Sequence, residues 1–125
     1  MELFPQSQKE TLEETMEQGS EMQQIISALL QEPVGFEEID GTHYLESDSV
    51  ELSYTMTDEV LEIRNIEITN PGHGIGSQII DTLSGYAESN NIDVIASNVK
   101  EEARGFWEEM GFHEGSEPDE FFKAA

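Results

Sequence analysis

A single α/β domain built on one mixed central sheet is predicted by three observations. Helix-period apolar spacing occupies the first quarter of the chain, short alternating runs follow from Thr42, and helical and strand patterns then alternate from about residue 70 to the end. With 125 residues, the chain has the length of one domain, 1–125. Hydrophobic residues make up 36% of it and are grouped periodically. A core can therefore form, and disorder of the whole chain is not expected.

In the first segment, Ser7 with Glu10 and Ser20 with Gln23 have capping-box spacing. They predict helices over 7–18 and 20–31. Leu12 and Met16 lie one turn apart on the first; Met22, Ile25, Ile26, Leu29 and Leu30 form a broad stripe on the second. Glu32-Pro33 ends this half, because the residue before proline resists the helical conformation. Turn signals at 47–49 and 57–59 then divide an antiparallel meander into strands over 42–46, 50–56 and 60–68. In the last of these, Leu61 and Ile63 share one parity while Ile66 and Ile68 have the other. A β-bulge near Arg64 and Asn65 produces such a slip.

The segment Asn70-Pro71-Gly72-His73-Gly74-Ile75-Gly76 breaks that strand, and Ile75, Ile79, Leu83 and Tyr86 recur at helical spacing to about Asn90. A strand over 92–97, a short helix over 100–110 stopped by Gly111, and strands over 112–114 and 120–123 complete the pattern. The antiparallel meander is thus followed by strand-helix-strand-helix-strand.

Charge narrows the function. There are 28 Asp and Glu against 5 Lys and Arg, a formal net charge of -23. Nucleic acids and anionic bilayers are repelled, so neither nucleic acid nor membrane is expected as a partner. The acids are mingled with every apolar segment, which reads as a generally acidic, halophilic surface; molar salt screens charge over about 3 Å. A DNA-mimicking protein that captures a basic partner is the alternative reading of the same charge. The chain has no cysteine, which excludes disulfides, thiolate metal ligands and an acyl-cysteine intermediate, and suits a reducing, cytoplasmic setting. Its longest apolar run, 25–30, is too short for a membrane helix, and no signal-peptide pattern opens the sequence. His43, His73 and His113 share no metal-ligand spacing, so no metal site is expected.

A strand that feeds a glycine-rich turn into a helix offers free N–H groups and a positive dipole end, suited to a phosphate or pyrophosphate at 72–77. A tight strand-to-helix corner is the plainer reading of the same glycines. The P-loop ending Gly-Lys-Ser/Thr is absent, and Ser77 occupies the third glycine position of a dinucleotide fingerprint.

Together with Ala103-Arg104-Gly105-Phe106-Trp107-Glu108-Glu109-Met110-Gly111-Phe112, the Gly74-Ile75-Gly76 turn resembles the GNAT superfamily of acetyl-CoA-dependent N-acetyltransferases, over about residues 60–123. The resemblance implies acetyl-CoA as cofactor. It places the pyrophosphate on the backbone of Gly72, His73, Gly74, Ile75, Gly76 and Ser77, the pantetheine arm along Ile68, and the acetyl carbonyl at the backbone of Ile66. Glu62 falls where some members carry a general base, which would act through water; the plainer reading is a solvated carboxylate paired with Arg64. Pro71 stands where the family has Arg or Gln and brings no N–H. Lys100 stands where Asn is frequent, with Asn98 the neighbouring amide. Trp107 stands where a tyrosine often protonates the leaving thiolate. An indole cannot do so, though a thiol of pKa about 8.5 can leave as thiolate; Tyr54 or water are the other proton sources. As a plain reading, Trp107 is a core aromatic. His73 could face a phosphate or simply be an exposed loop side chain. Lys100 and Arg104 could meet the coenzyme 3′-phosphate or form helical salt bridges with Glu101 or Glu108.

The expected function is direct transfer of acetyl to an amine, either a small molecule or a protein amine. A catalytically inactive CoA-binding or regulatory module and an acidic interaction protein are the alternatives. Strand pairing between two copies would give a homodimer. The charge predicts that the protein unfolds when KCl is lowered and refolds when concentrated KCl is restored, measured by far-ultraviolet circular dichroism; salt-independent folding would contradict it.

Overall fold

The computed structural model describes residues 21–125. The helix expected over 7–18, with Leu12 and Met16, and the cap at Ser20 lie outside these residues. Helix α1 is described over 21–30, and its apolar stripe turns inward: Met22 and Ile26 are fully buried, and Leu29 and Leu30 pack against the core. The helix is tied down where it ends. Gln23 Nε2 donates to the Val34 carbonyl (2.7 Å), Ser27 Oγ donates to the Glu32 carbonyl (2.7 Å), and the Glu32 carboxylate accepts the N–H and hydroxyl of Ser49.

Seven strands follow in one sheet: β1 (Gly35–Ile39), β2 (Thr42–Glu46), β3 (Val50–Met56), β4 (Val60–Ile68), β5 (Asp93–Ala96), β6 (His113–Glu114) and β7 (Phe121–Lys123). Their spatial order is β1-β2-β3-β4-β5-β7-β6. All neighbours are antiparallel except β4 and β5. That parallel pair requires a crossover, supplied by α2 (Ile75–Ser89). A 3-10 turn (Glu101–Ala103) leads into α3 (Arg104–Glu109), so the single short helix expected over 100–110 is divided in two. Gly111, at φ 89°, ends it, with Gly111 N–H on the Glu108 carbonyl and Phe112 N–H on that of Trp107.

The meander strands fall where the alternation placed them. Strand β1 was not expected. Its sequence Gly-Phe-Glu-Glu-Ile contains one half-buried apolar residue, Phe36, and is otherwise exposed, so it lacks the periodic apolar signal. It is an edge strand, and edge strands are commonly charged. The bulge is in β4: Ser53 lies opposite Asn65 and Tyr54 opposite Ile63, which leaves Arg64 as the extra residue. Leu61, Ile63, Ile66 and Ile68 thereby all face the core side, although their spacing is not regular.

That side holds one continuous core. Ile79, Ile80 and Leu83 of α2 are fully buried, together with Leu52, Leu61, Ile63 and Phe121 of the sheet. Within it, His43 is stacked on Tyr54 (centroids 5.0 Å, 9°). Neither the His43 Nδ1 nor the Tyr54 hydroxyl has a partner among the described residues. Burial lowers the His43 pKa, opposed by the charge of Glu38 across the strand pair. No helix among the described residues is long and apolar enough to cross a membrane.

Two groups make the fold acid-sensitive in sequence. The unfolded chain protonates His43 near pH 6.5 while the folded chain holds it neutral, so stability declines as pH falls through that value. Hydrogen bonds from Ser49 and Ser47 lower the Glu32 pKa. Its contribution is full above the unfolded carboxyl pKa and is lost as pH falls through the lower folded value. Urea titrations from pH 8 to 3 should therefore show two losses, with His43→Phe removing the upper and Glu32→Gln the lower; unchanged profiles would contradict both assignments.

Candidate functional site

Strand β4 is nine residues long, but β5 pairs only with Val60–Ile63 of it. The pairing closes with Ser97 N–H donating to the Ile63 carbonyl (3.0 Å). Asn98 then turns the chain at φ 57°, and β5 leaves the sheet while β4 continues. From Arg64 to Ile68, β4 keeps its partner β3 on one side and has no strand on the other among the described residues. A cleft of about 730 Å³ opens there, within the usual range for small-molecule sites. Its walls are the free stretch of β4, the turn from Pro71 into α2, residues 97–100, and Ala103, Phe106 and Trp107.

The bulge decides which backbone groups face this opening. Successive residues of a strand direct their N–H and C=O groups to alternate edges. Thr69 N–H donates to the Ser49 carbonyl on the β3 side (3.0 Å). Counting back, Glu67 and Asn65 also face β3, while Ile66 and Ile68 face the cleft. Ile63, whose carbonyl bonds to Ser97, faces the same way. Were Arg64 in an ordinary paired place, Ile63 and Ile66 would have opposite senses; because Arg64 is taken up as a bulge, the N–H of Ile66 lies just past the point where the two strands part and faces no strand among the described residues.

A second set of donors comes from α2. Gly74 precedes the helix at φ 77°, a left-handed conformation that glycine adopts at little cost, and Gly72 is at φ 95°. The first intrahelical bond is Gln78 N–H to the Gly74 carbonyl (3.1 Å). The N–H groups of Ile75, Gly76 and Ser77 thus have no helical partner, no side chain caps them, and no acid lies in the first turn. Gly76 lies beside Ile68 and Phe106, where a Cβ would make only ordinary contacts, 3.7 Å from Ile68 Cγ1 and 3.7 Å from Phe106 Cε1.

Of the residues the sequence singled out, Ile66, Ile68, Gly72, Gly74, Ile75, Gly76, Ser77, Asn98 and Trp107 all line this one cleft. His73 is exposed and does not line it. Glu62 does not line it either: it is half-buried on the β4 face turned away from the core, opposite Thr55 and beside Ile95. No ion pair among the described residues joins Glu62 to Arg64. Trp107 fulfils its plain reading as a core aromatic. It is 4% exposed and makes edge contacts with Phe106 (85°) and Phe112 (73°) while closing the cleft floor. Tyr54 is excluded as a proton source, since it is fully buried, lies off the cleft, and has its pKa raised by burial.

The basic pair separates as well. Lys100 is exposed and lines the cleft. Arg104 is held elsewhere: it donates to the Pro118 carbonyl (2.7 Å), pairs with Glu114, and lies over the Phe121 ring. Arg64, expected from the sequence at the bulge and as a partner for Glu62, is a lining residue. Among the described residues, Arg64 and Lys100 border the cleft against one carboxylate, Glu67. In a strongly acidic molecule, this cleft is the place arranged to receive negative charge.

No protein-family model and no curated protein sequence matches the chain. Among solved structures, the crystal structure of the anti-CRISPR protein AcrVA5 is similar in fold, with a TM-score of 0.59 and 18% identity over 67% of this chain and 99% of that one.

The two glycines bordering the helix start should respond oppositely. Gly74→Ala, which forces a side chain into the left-handed region, should cost about 1 kcal/mol. Gly76→Ala meets only ordinary contacts and should leave stability unchanged or raise it by up to about 1 kcal/mol. Urea unfolding of both variants checks this, and equal losses would contradict the geometry.

Proposed function

We propose that the protein is an N-acetyltransferase of GNAT type that binds acetyl-CoA in the β4–β5 cleft and transfers acetyl to an amine. One observation carries the reading: the strand-edge N–H groups of Ile66 and Ile68 and the helix-start N–H groups of Ile75, Gly76 and Ser77 border the same cleft. A pyrophosphate suits the helix start, where N–H groups and the positive dipole end coincide. The apolar wall formed by Ile68 and Phe106 suits an uncharged linker, and Lys100 suits a further phosphate. The N–H of Ile66 suits a thioester carbonyl oxygen, where it would oppose developing negative charge.

When bound, acetyl-CoA would supply a thioester whose carbonyl carbon forms a C–N bond with the amine as the C–S bond breaks, coenzyme A leaving as thiolate and the amine's proton passing to water. Glu62, which does not line the cleft, is not placed to take this proton, and water receives it. With Trp107 in place of a phenol and Tyr54 buried, the described residues bring no acid to the thiolate, which leaves unprotonated. The fold likeness to AcrVA5 supports the architecture this reading requires. An acidic decoy would require no such cleft.

Calorimetric titration of acetyl-CoA in concentrated KCl should give saturable binding, and Gly74→Asp, which puts a carboxylate into the loop, should abolish it with the fold retained by circular dichroism. Absence of binding to the folded original protein would withdraw the acetyltransferase reading.

A further inference from the structure

The acceptor for this transfer is specified by what stands at the mouth of the cleft. Ile63 and Ile66 both face the core, so the two residues between them, Arg64 and Asn65, face away from it, and both are exposed lining residues. Arg64 is surrounded in sequence by Glu62 and Glu67, yet makes no ion pair among the described residues. That contrasts with Arg104, whose guanidinium is fully engaged. A guanidinium offers a planar fork of donors matched to a carboxylate, and this one sits where strand β4 parts from β5.

On the same strand, Glu67 also lines the cleft and is the last of three exposed carboxylates in direct register, Glu46 opposite Glu51 and Glu51 opposite Glu67. Like charges set opposite one another disfavour the sheet, and a cation relieves them. The mouth thus presents a cation and an anion three positions apart, neither in an ion pair among the described residues, on either side of the outward-facing Asn65. A polyamine would meet repulsion at Arg64, and a simple acid would meet it at Glu67.

The geometry points to a zwitterionic acceptor, an amine carrying a carboxylate in the manner of an α-amino acid, with Arg64 holding the carboxylate and Glu67 drawing the ammonium to the cleft. This rests on the acetyltransferase reading. Arg64 acts here as a specificity-determining residue.

The test is a panel of the twenty L-amino acids, their C-terminal amides and the polyamines putrescine and spermidine, assayed for coenzyme A release in concentrated KCl. Binding of the same compounds is read by saturation-transfer NMR with free coenzyme A present, so that no transfer occurs. At least one amino acid should exceed its amide roughly 10-fold in kcat/KM, as expected for one charge-assisted contact. Arg64→Gln should erase that preference through KM, Arg64→Lys should restore part of it, and acetyl-CoA affinity by calorimetry should be unchanged in both. Preference for amides or polyamines would overturn the proposal, as would a loss of acetyl-CoA affinity in Arg64→Gln, which would assign the guanidinium to the cofactor. Acetyl-CoA binding without carboxylate preference overturns this inference alone; absence of acetyl-CoA binding overturns it together with the function on which it rests.

Discussion

The insertion of Arg64 into β4 is the constraint on which the rest of the site depends. Strand β4 must serve two neighbours with different reach: β3 along its length, and β5 for four residues only. Taking up Arg64 as a bulge where β5 departs, instead of pairing it in a regular strand, reverses the sense of everything after it. Side chains that would have turned outward, Ile66 and Ile68, remain with the core. Backbone groups that would have bonded to β3 turn instead to the open edge. The same residue therefore conserves burial, frees an N–H, and puts a cation at the mouth of the opening.

Charge distribution follows the same line. A chain with 28 acids has little freedom to leave a surface uncharged, yet no acid occurs between Glu67 and Asp81, the span that ends β4, forms the turn and starts α2. A carboxylate in the first turn of a helix is ordinarily favourable, so its absence there costs helix stability and leaves the N–H groups unclaimed. The left-handed backbone at Gly72 and Gly74 makes a short turn that brings the start of α2, at Gly76, against Ile68 and Phe106.

Much of this was legible in the sequence because it follows from periodicity. The three meander strands are bounded by turn residues and alternate cleanly, and the parity change between Ile63 and Ile66 is visible without coordinates. Strand β1 was not legible, because Glu37 and Glu38 leave it no apolar alternation and only pairing with β2 defines it. The cleft residues from the glycine turn were legible as a group, since their spacing is local. What failed was everything decided by side-chain direction across the fold. Lys100 and Arg104 look equivalent in sequence, but the β6–β7 connection captures one and leaves the other at the cleft. Tyr54 looks available until its strand is placed in the middle of the core. Arg64 looks like the partner of Glu62 by simple parity, yet no ion pair joins the two among the described residues.

The most direct measurement of the central claim is amide hydrogen exchange along β4, followed residue by residue by NMR. The account predicts alternation after the bulge: slow exchange at Asn65, Glu67 and Thr69, bonded to β3, and fast exchange at Ile66 and Ile68, with the latter two slowed when acetyl-CoA is added. Protected amides at Ile66 and Ile68 in the free protein, or exposed ones at Asn65 and Glu67, would mean that the extra residue does not turn the strand edge toward the cleft, and the site as described would not exist.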